Sequence, residues 1–183
     1  HCERMEAEEI TDMLNDYFTR MVEVVNRNGG EIDKFIGDAF LAVFHSPVEE
    51  REMGARQSAF RAIYAALEMQ RKLEELNDAR REKGKRPLQI GVGMSFGEVI
   101  YGPIGAEDRR DFTVIGDVVN LASRIEKLSK KGKHTRIVLS HHVEALVHDY
   151  LVTEAMEEEP IRGKTESVRV LVLVGIRDVK VLE

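Results

Sequence analysis

The sequence predicts an α+β fold, in which helices and a mixed β-sheet form a sandwich. Segments with helical and strand periodicity alternate along the chain in the order helix, hairpin, helix, strand. The chain has 183 residues, of which 43% are hydrophobic, so it is long enough to bury one core. No internal repeat or low-complexity segment interrupts this pattern. We therefore expect a single domain over residues 1–183.

Two long amphipathic helices are predicted in the first half of the chain. The segment "NGG" at residues 28–30 supplies left-handed conformations that end the first helix. The amphipathic pattern of the second helix ends in the charged segment "NDARREKGKRP", which is typical of a solvated helix end and loop. The apolar stripe of the first helix consists of Ile10, Met13, Leu14, Tyr17, Phe18, Met21, Val22 and Val25, and that of the second consists of Ala59, Phe60, Ile63, Ala66, Leu67 and Leu73.

A β-hairpin is predicted between these helices. Residues 31 to 36 and 39 to 45 have strand character, and Gly37-Asp38 favours a tight turn between them. Lys34 lies four residues before Asp38 in an otherwise apolar stretch. Locally, this pair has two interpretations: an ordinary type I′ turn beside a solvated lysine, or two functional side chains.

The later segments complete the sheet. Residues 88 to 94 predict a strand with one nearly bare face, because Gln89, Gly91 and Gly93 alternate with apolar residues, and we expect something to approach that face closely. The segments "GEVIYG", "DFTVI", "TRIVLS", "YLVTEA" and "SVRVLVLVGI" predict five more strands. A helix is predicted from about 117 to 130 and a short one at 141 to 148.

Composition excludes several classes of function. A net charge of -6 and a pI near 5.6 argue against nonspecific nucleic-acid binding. The single cysteine, Cys2, cannot form an intrachain disulfide, and we find neither a signal peptide nor a membrane-spanning apolar run, so we expect a cytoplasmic domain. The chain opens at "HCERME" and closes at "VLE". We interpret both ends as artificial boundaries, with Leu182-Glu183 typical of a cloning scar.

Three motif-like patterns do not meet the requirements of their chemistry. Gly163-Lys164-Thr165 resembles the end of a P-loop, but Glu158 stands where that pattern needs glycine. The glycines between residues 91 and 97 have the wrong spacing for a dinucleotide fingerprint and lie in a strand. A histidine metal site is disfavoured because adjacent histidines diverge on a helix; the candidates are His134, His141, His142 and His148.

The predicted helix at 117–130 has a polar face opposite its buried stripe. Asn120 and Arg124 lie one turn apart on this face, which also carries Lys127 and Lys131. On this helix alone, an ordinary solvated face is the simpler interpretation.

Four segments together closely resemble the catalytic domain of the class III nucleotidyl cyclases, the adenylyl and guanylyl cyclases. They are "GGEIDKFIGDAFLAVF", "IGVGMSFGEVIYGPIG", "DFTVIGDVVNLASRIEKLSKK" and "IRGKTESVRVLVL", in the order and spacing of that family. The resemblance runs from about residue 4 to 174, and "TVIGDVVNLASR" is highly specific. It implies a ferredoxin-like mixed-sheet sandwich whose first strand is missing from this chain.

The resemblance implies a role for Asp38 in metal binding. Class III cyclases use two divalent ions, Mg²⁺ or Mn²⁺, held by two aspartates, and the aspartate of the hairpin turn corresponds to Asp38. Carboxylate oxygens suit these ions. The second aspartate is expected on a strand before His1, which this sequence does not contain.

The resemblance also implies how the base is recognised. Lys34 and Thr113 match the family's two base-reading positions. Lysine can donate to adenine N1 and threonine can accept from its 6-amino group, whereas guanine would favour an acceptor such as glutamate at the first position. ATP is therefore the expected substrate.

Asn120 and Arg124 match the positions that orient the ribose and stabilise charge on the transferring phosphate. The family usually has a lysine near residue 162 for the terminal phosphate. Here Arg162 stands there and Lys164 follows two residues later, so both are candidates.

Taken together, the resemblance implies an adenylyl cyclase that makes cyclic AMP and pyrophosphate as a head-to-tail homodimer, with each site built from both subunits. It further implies an upstream regulatory or sensory domain. From the composition we expect no nucleic-acid partner and no membrane contact by this segment. A guanylyl cyclase remains an alternative. So does a diguanylate cyclase, whose glycine-rich hairpin is superficially similar but which would not explain Asn120 and Arg124. A third alternative is a catalytically silent dimerisation or regulatory module.

Overall fold

A computed structural model describes residues 7–46, 51–156 and 168–177. The four helices are α1 (Ala7–Arg27), α2 (Arg51–Glu82), α3 (Asp117–Glu126) and α4 (His141–Val147), and 3-10 turns follow at Lys127–Lys131 and His148–Tyr150. The strands are β1 (Glu31–Ile36), β2 (Ala39–Val43), β3 (Val92–Met94), β4 (Ile100–Ala106), β5 (Arg109–Ile115), β6 (Ile137–Ser140), β7 (Leu151–Ala155) and β8 (Val170–Ile176). None of the described helices is long and apolar enough to cross a membrane.

The strands form one larger sheet and two hairpins. The four-stranded sheet has the order β3-β6-β8-β7, with β3 and β6 parallel and the other two pairings antiparallel. The pairs β1-β2 and β4-β5 are antiparallel hairpins. The sheet is therefore mixed, and the predicted fold class is confirmed.

The chain divides into two compact units. One comprises His1–His45 with Arg61–Gln89, and the other comprises Ser46–Phe60 with Ile90–Glu183. In the first unit, α1 and the later part of α2 supply the core, including the fully buried Met21, Val25 and Ile63. The end of α1 is joined to α2 through Glu68, which accepts a hydrogen bond from Asn28 at 2.9 Å and pairs with Arg27 at 3.1 Å.

The second unit has its core between α3 and the four-stranded sheet. Leu121 and Ile125 of α3 pack with Val138 of β6 and Val170 of β8. All four residues of β6 are buried, as expected for a strand in the middle of a covered sheet. The apolar stripe predicted for this helix therefore fixes which face of α3 points away from the core.

The strand predicted at residues 88 to 94 is shorter in the structure. Only Val92–Met94 pairs as β3, and the main chain at Leu88 is satisfied by a side chain instead. The buried Asn77 amide donates to the Leu88 carbonyl oxygen at 2.9 Å, and its oxygen accepts from the Leu88 N–H at 2.7 Å. A side chain eleven residues away thus replaces the expected strand partner at this end.

The bare face of β3 is covered by the chain's own helix. A Cβ atom added to Gly93 would lie 2.4 Å from both the Ala122 carbonyl oxygen and the Glu126 amide nitrogen of α3. The predicted close approach is thus made by the α3 backbone. The helix predicted over 117–130 ends as an α-helix at Glu126 and continues as the 3-10 turn Lys127–Lys131.

Candidate functional site

The β1-β2 hairpin carries two of the candidate residues. Ile36 pairs with Ala39, so Gly37 and Asp38 form a two-residue turn as predicted. Gly37 adopts a φ of 63°, in the left-handed region that glycine enters at little cost. Asp38 is exposed at the tip. The turn therefore presents a carboxylate to solvent on a short, well-defined support.

Helix α1 supports this hairpin from the first unit. The Phe18 ring lies 4.7 Å from the Phe35 ring and 6.4 Å from the Phe40 ring, in edge-to-face arrangements. Beside it, burial raises the pKa of the Tyr17 phenol to about 12, and the negative charge of Asp38 acts in the same direction. The hairpin is thus held by an aromatic cluster of its own chain.

A β-bulge interrupts β1 next to Lys34. Ile32 pairs with Ala42 and Lys34 with Leu41, so Asp33 is an extra residue in the ladder. The Lys34 ammonium lies 3.2 Å from the Asp33 carboxylate, whose side chain is only 3% exposed. Asp33 was not predicted as a site residue, although an acidic residue beside a lysine in an apolar strand was a signal for it.

Helix α3 presents Asn120 and Arg124 on the face away from the core. The start of α3 is held by the Ser95 hydroxyl, which donates to the Val118 carbonyl oxygen. Asn120 is exposed and Arg124 is half-buried. Within the described ranges, Arg124 forms no ion pair with a carboxylate. An arginine that pairs with no carboxylate in this part of the chain can donate to an anionic ligand.

Thr113 lies in β5, which belongs to the second hairpin. Its side chain is buried and faces Gly102 across the ladder. A Cβ atom at Gly102 would meet no atom within 4 Å, so the neighbouring position is open. The same hairpin exposes large apolar side chains, namely Ile100, Tyr101, Phe112 and Ile115.

The predicted site residues fall into three groups. Lys34 and Asp38 lie together on the β1-β2 hairpin of the first unit, and the second unit carries Thr113, Asn120 and Arg124. The two phosphate candidates, Arg162 and Lys164, lie outside the described residues.

The donor set in the described ranges fits part of a metal site. No three His, Cys, Asp or Glu side chains are grouped there so that they could hold an ion. Asp38 offers one exposed carboxylate, the type of oxygen donor that Mg²⁺ and Mn²⁺ prefer. A metal at Asp38 would therefore need further oxygen ligands, which a second carboxylate and a triphosphate can supply.

Comparison with known proteins gives consistent matches. The sequence model of the family described as the adenylate and guanylate cyclase catalytic domain matches residues 1–174. An adenylate cyclase of Anabaena cylindrica is 41% identical over 133 residues, which are 70% of this chain and 24% of that protein. The crystal structure of the adenylyl cyclase CyaB from P. aeruginosa superimposes with a TM-score of 0.85 at 32% identity, covering 96% of this chain and 87% of that one.

The solved guanylyl cyclase Cya2 is also similar, with a TM-score of 0.79 at 31% identity over 97% of this chain and 86% of that one. The chain spans between 8% and 24% of the length of the first curated relatives it matches. Similar backbones thus occur in proteins named for different nucleotides, so substrate preference has to be argued from individual side chains.

Proposed function

We propose that this chain, which belongs to the family of adenylate and guanylate cyclase catalytic domains, converts ATP to cyclic AMP and pyrophosphate. Relatives named adenylate cyclase are 30% to 41% identical to it, and the predicted enzyme class agrees with them. The observation that carries the proposal is the β1-β2 hairpin, which combines an exposed Asp38 at its tip with Lys34 in its bulge.

Lys34 and Thr113 favour ATP over GTP. The Lys34 ammonium is a donor only, which matches the unprotonated N1 of adenine and opposes the N1–H of guanine. The Thr113 hydroxyl can accept from the adenine 6-amino group. A guanylyl cyclase is the second candidate because of the likeness to Cya2, and the donor at residue 34 argues against it.

Asn120 and Arg124 act on the rest of the nucleotide. The Asn120 amide, exposed on α3, hydrogen-bonds the ribose and orients its 3′-hydroxyl toward the α-phosphate. The Arg124 guanidinium donates to the phosphate oxygens on which negative charge develops. Removing one such donor typically lowers turnover by about 100- to 1000-fold. Arg162 and Lys164 are the proposed cations for the terminal phosphate.

Asp38 is the proposed metal ligand of this chain. The family generally uses divalent metal ions, and two Mg²⁺ or Mn²⁺ ions per site are proposed here. When bound, such ions lower the pKa of the attacking hydroxyl and neutralise charge on the triphosphate. Asp38 would hold them together with a second aspartate on a strand that precedes His1. The two-residue turn puts Asp38 at the tip of the hairpin, where its carboxylate is exposed.

Each site is proposed to form between two copies of the chain. The β4-β5 hairpin exposes four large apolar side chains, namely Ile100, Tyr101, Phe112 and Ile115. A concentration of exposed apolar surface of this kind is typical of a protein–protein interface. A second copy would cover this surface by two-fold symmetry. Asp38 of one subunit then serves the same site as Asn120 and Arg124 of the other. A regulatory or sensory region outside residues 1–183 is proposed to control the assembly.

The experiment that tests this proposal mixes two inactive variants of the full-length natural protein, Asp38→Ala and Arg124→Ala. Each homodimer has both sites broken, so each variant alone should be nearly inactive. In a mixed dimer one site carries both changes and the other carries neither. With free exchange at equal concentrations, roughly a quarter of wild-type cyclic AMP synthesis should return, because half of the dimers have one intact site of two.

Subunit exchange is verified separately by fluorescence energy transfer between labelled variants. Mixing two batches of Asp38→Ala is the matched control and should recover nothing. If exchange occurs and the mixed variants stay inactive, the shared-site mechanism is wrong. If wild-type protein makes no cyclic AMP with Mg²⁺ or Mn²⁺, the catalytic proposal itself is wrong, and the silent module becomes the better account.

A further inference from the structure

We infer that Asp33 is a positioning residue that fixes the Lys34 ammonium for recognition of the adenine base. The inference deepens the proposed function and rests on it. Neither the sequence pattern nor the family match assigns a role to Asp33; the assignment comes from the bulge, the ion pair and the burial of its carboxylate.

The bulge is what brings the two side chains together. In a regular strand, consecutive side chains point to opposite faces of the sheet. Between Ile32 and Lys34 the register shifts, and Asp33 is the residue that the pairing with β2 skips. Bulges re-aim side chains in this way and are common beside active sites. Here the result is a contact of 3.2 Å between neighbours that a regular strand would separate.

The burial of the pair is strongly asymmetric. The Asp33 side chain is 3% exposed and that of Lys34 is 42% exposed. A carboxylate withdrawn from water needs charged or hydrogen-bonding partners, and the adjacent ammonium is one of them. The anchor is therefore inside the protein and the cation it holds reaches solvent. This is the arrangement expected when the lysine is presented to something that binds from outside.

Holding the lysine leaves its chemistry intact. An ammonium group has three N–H donors, so donating one to Asp33 is compatible with donating another to adenine N1. A free lysine side chain loses rotamer freedom when it binds a ligand, whereas an anchored one has lost it already. Asp33 should therefore lower the KM for ATP without taking part in the chemical step.

The same anchor explains selectivity. Guanine presents an N1–H donor to the lysine, and two donors cannot pair. A mobile ammonium could turn away and admit guanine, but an ammonium held by Asp33 cannot do so at low cost. Loss of the anchor should therefore reduce the preference for ATP over GTP, not merely weaken binding of both nucleotides.

The test is Asp33→Asn in the full-length protein, assayed with ATP and with GTP. We expect the KM for ATP to rise about 3- to 10-fold, kcat to change less than about 2-fold, and the ratio of kcat/KM for ATP over GTP to fall about 10-fold. The matched control is Asp78→Asn, which breaks the exposed 2.7 Å pair with Arg81 on α2 and should leave all three quantities unchanged.

A double-mutant cycle with Lys34→Gln separates positioning from folding. If Asp33 acts through Lys34, then Lys34→Gln and the double variant D33N/K34Q should have the same ATP-to-GTP ratio. This comparison also serves if Asp33→Asn alone fails to fold, because D33N/K34Q leaves no unpaired charge in the bulge. Different ratios for these two proteins would overturn the inference, as would an Asp33→Asn protein that loses kcat for both nucleotides equally.

The outcome is distinguishable from a failure of the proposed function. If wild-type protein makes no cyclic AMP, the proposed function fails and the inference falls with it. If wild-type protein is active and Asp33→Asn keeps the wild-type KM and nucleotide ratio, only the role of Asp33 is wrong.

Discussion

The two hairpins of this chain have the same topology and different surroundings. β1-β2 and β4-β5 are both antiparallel pairs that form no ladder with the four-stranded sheet in the described structure. The first is packed against α1 through Phe18, which lies 4.7 Å from Phe35. The second leaves Ile100 72% exposed and Phe112 65% exposed. An isolated two-stranded hairpin is marginal in water, so each needs packing partners. The described chain packs α1 against the first hairpin and buries Thr113 and Val114 of the second, whereas Ile100 and Phe112 of the second remain exposed.

This difference distinguishes the part of the site that one chain forms by itself from the part that is proposed to need a second copy. The geometry of Asp33, Lys34 and Asp38 is built by the first unit alone. The hairpin that carries Thr113 is expected to reach its full stability when a second copy covers it, which makes that stability depend on protein concentration. The comparison therefore predicts different responses to changes in the two hairpins.

The largest effect is expected at the tip of the first hairpin. Asp38→Asn should reduce Mn²⁺-supported cyclic AMP synthesis on the order of 100-fold or more, because the proposed metal ligand loses its charge. Since Asp38 is exposed, circular dichroism and sedimentation should show an unchanged fold and dimer. Near-normal turnover would remove Asp38 from the proposed site.

A change on both hairpins tests base recognition. Lys34→Glu with Thr113→Cys replaces adenine-complementary groups with guanine-compatible ones, and ATP turnover should fall about 100-fold, with the residual activity shifted toward GTP. Steady-state kinetics with each nucleotide measures this directly. An undiminished preference for ATP would show that these two residues do not read the base.

The second hairpin is tested by making its surface polar. Ile100→Ser with Phe112→Ser should raise the dimer dissociation constant roughly 10- to 100-fold, because apolar area that the dimer would bury is lost. Sedimentation equilibrium gives the constant. Activity should recover at high protein concentration. Val152→Ser, which alters an exposed apolar residue on β7, is the matched control and should not affect association.

The smallest expected effect is a pH dependence of stability that comes from Tyr17 of α1, next to the first hairpin. The Tyr17 phenol has a pKa of about 12 in the folded protein, above its ordinary value near 10. The contribution of Tyr17 to the free energy of unfolding is therefore complete below pH 10 and is lost as pH rises toward 12. The loss is at most roughly 2.7 kcal/mol. Urea unfolding at pH 9 and pH 11 should show a smaller loss for Tyr17→Phe than for wild type. Equal losses would contradict this account.

Local patterns were sufficient to predict much of the fold. The Gly37-Asp38 turn, the apolar stripe of α1 and the outward face of Asn120 and Arg124 depend on residues close in sequence, and the structure has all three. The metal, base and phosphate roles came from the family resemblance, and they remain predictions.

Features that depend on strand register or on contacts between distant segments could not be predicted. The bulge at Asp33 depends on how β1 pairs with β2, and strand character alone does not give the register. The end of the strand before Val92 depends on Asn77, a helix residue whose amide occupies the Leu88 main chain. The bare glycine face indicated a close neighbour without identifying α3 as that neighbour.

Gly93 determines how closely the helix that bears Asn120 and Arg124 packs against β3. Because a methyl group there would overlap the α3 backbone, whose atoms have no rotamer to change, Gly93→Ala requires β3 and α3 to move apart. Displacements near 1 Å can cost about 100-fold in rate, so this glycine would govern turnover without touching the nucleotide. The face of α3 that packs on β3 sets the position of the helix, and the opposite face carries the site residues. Side chains on that opposite face can therefore be exchanged in redesign without changing how the helix packs.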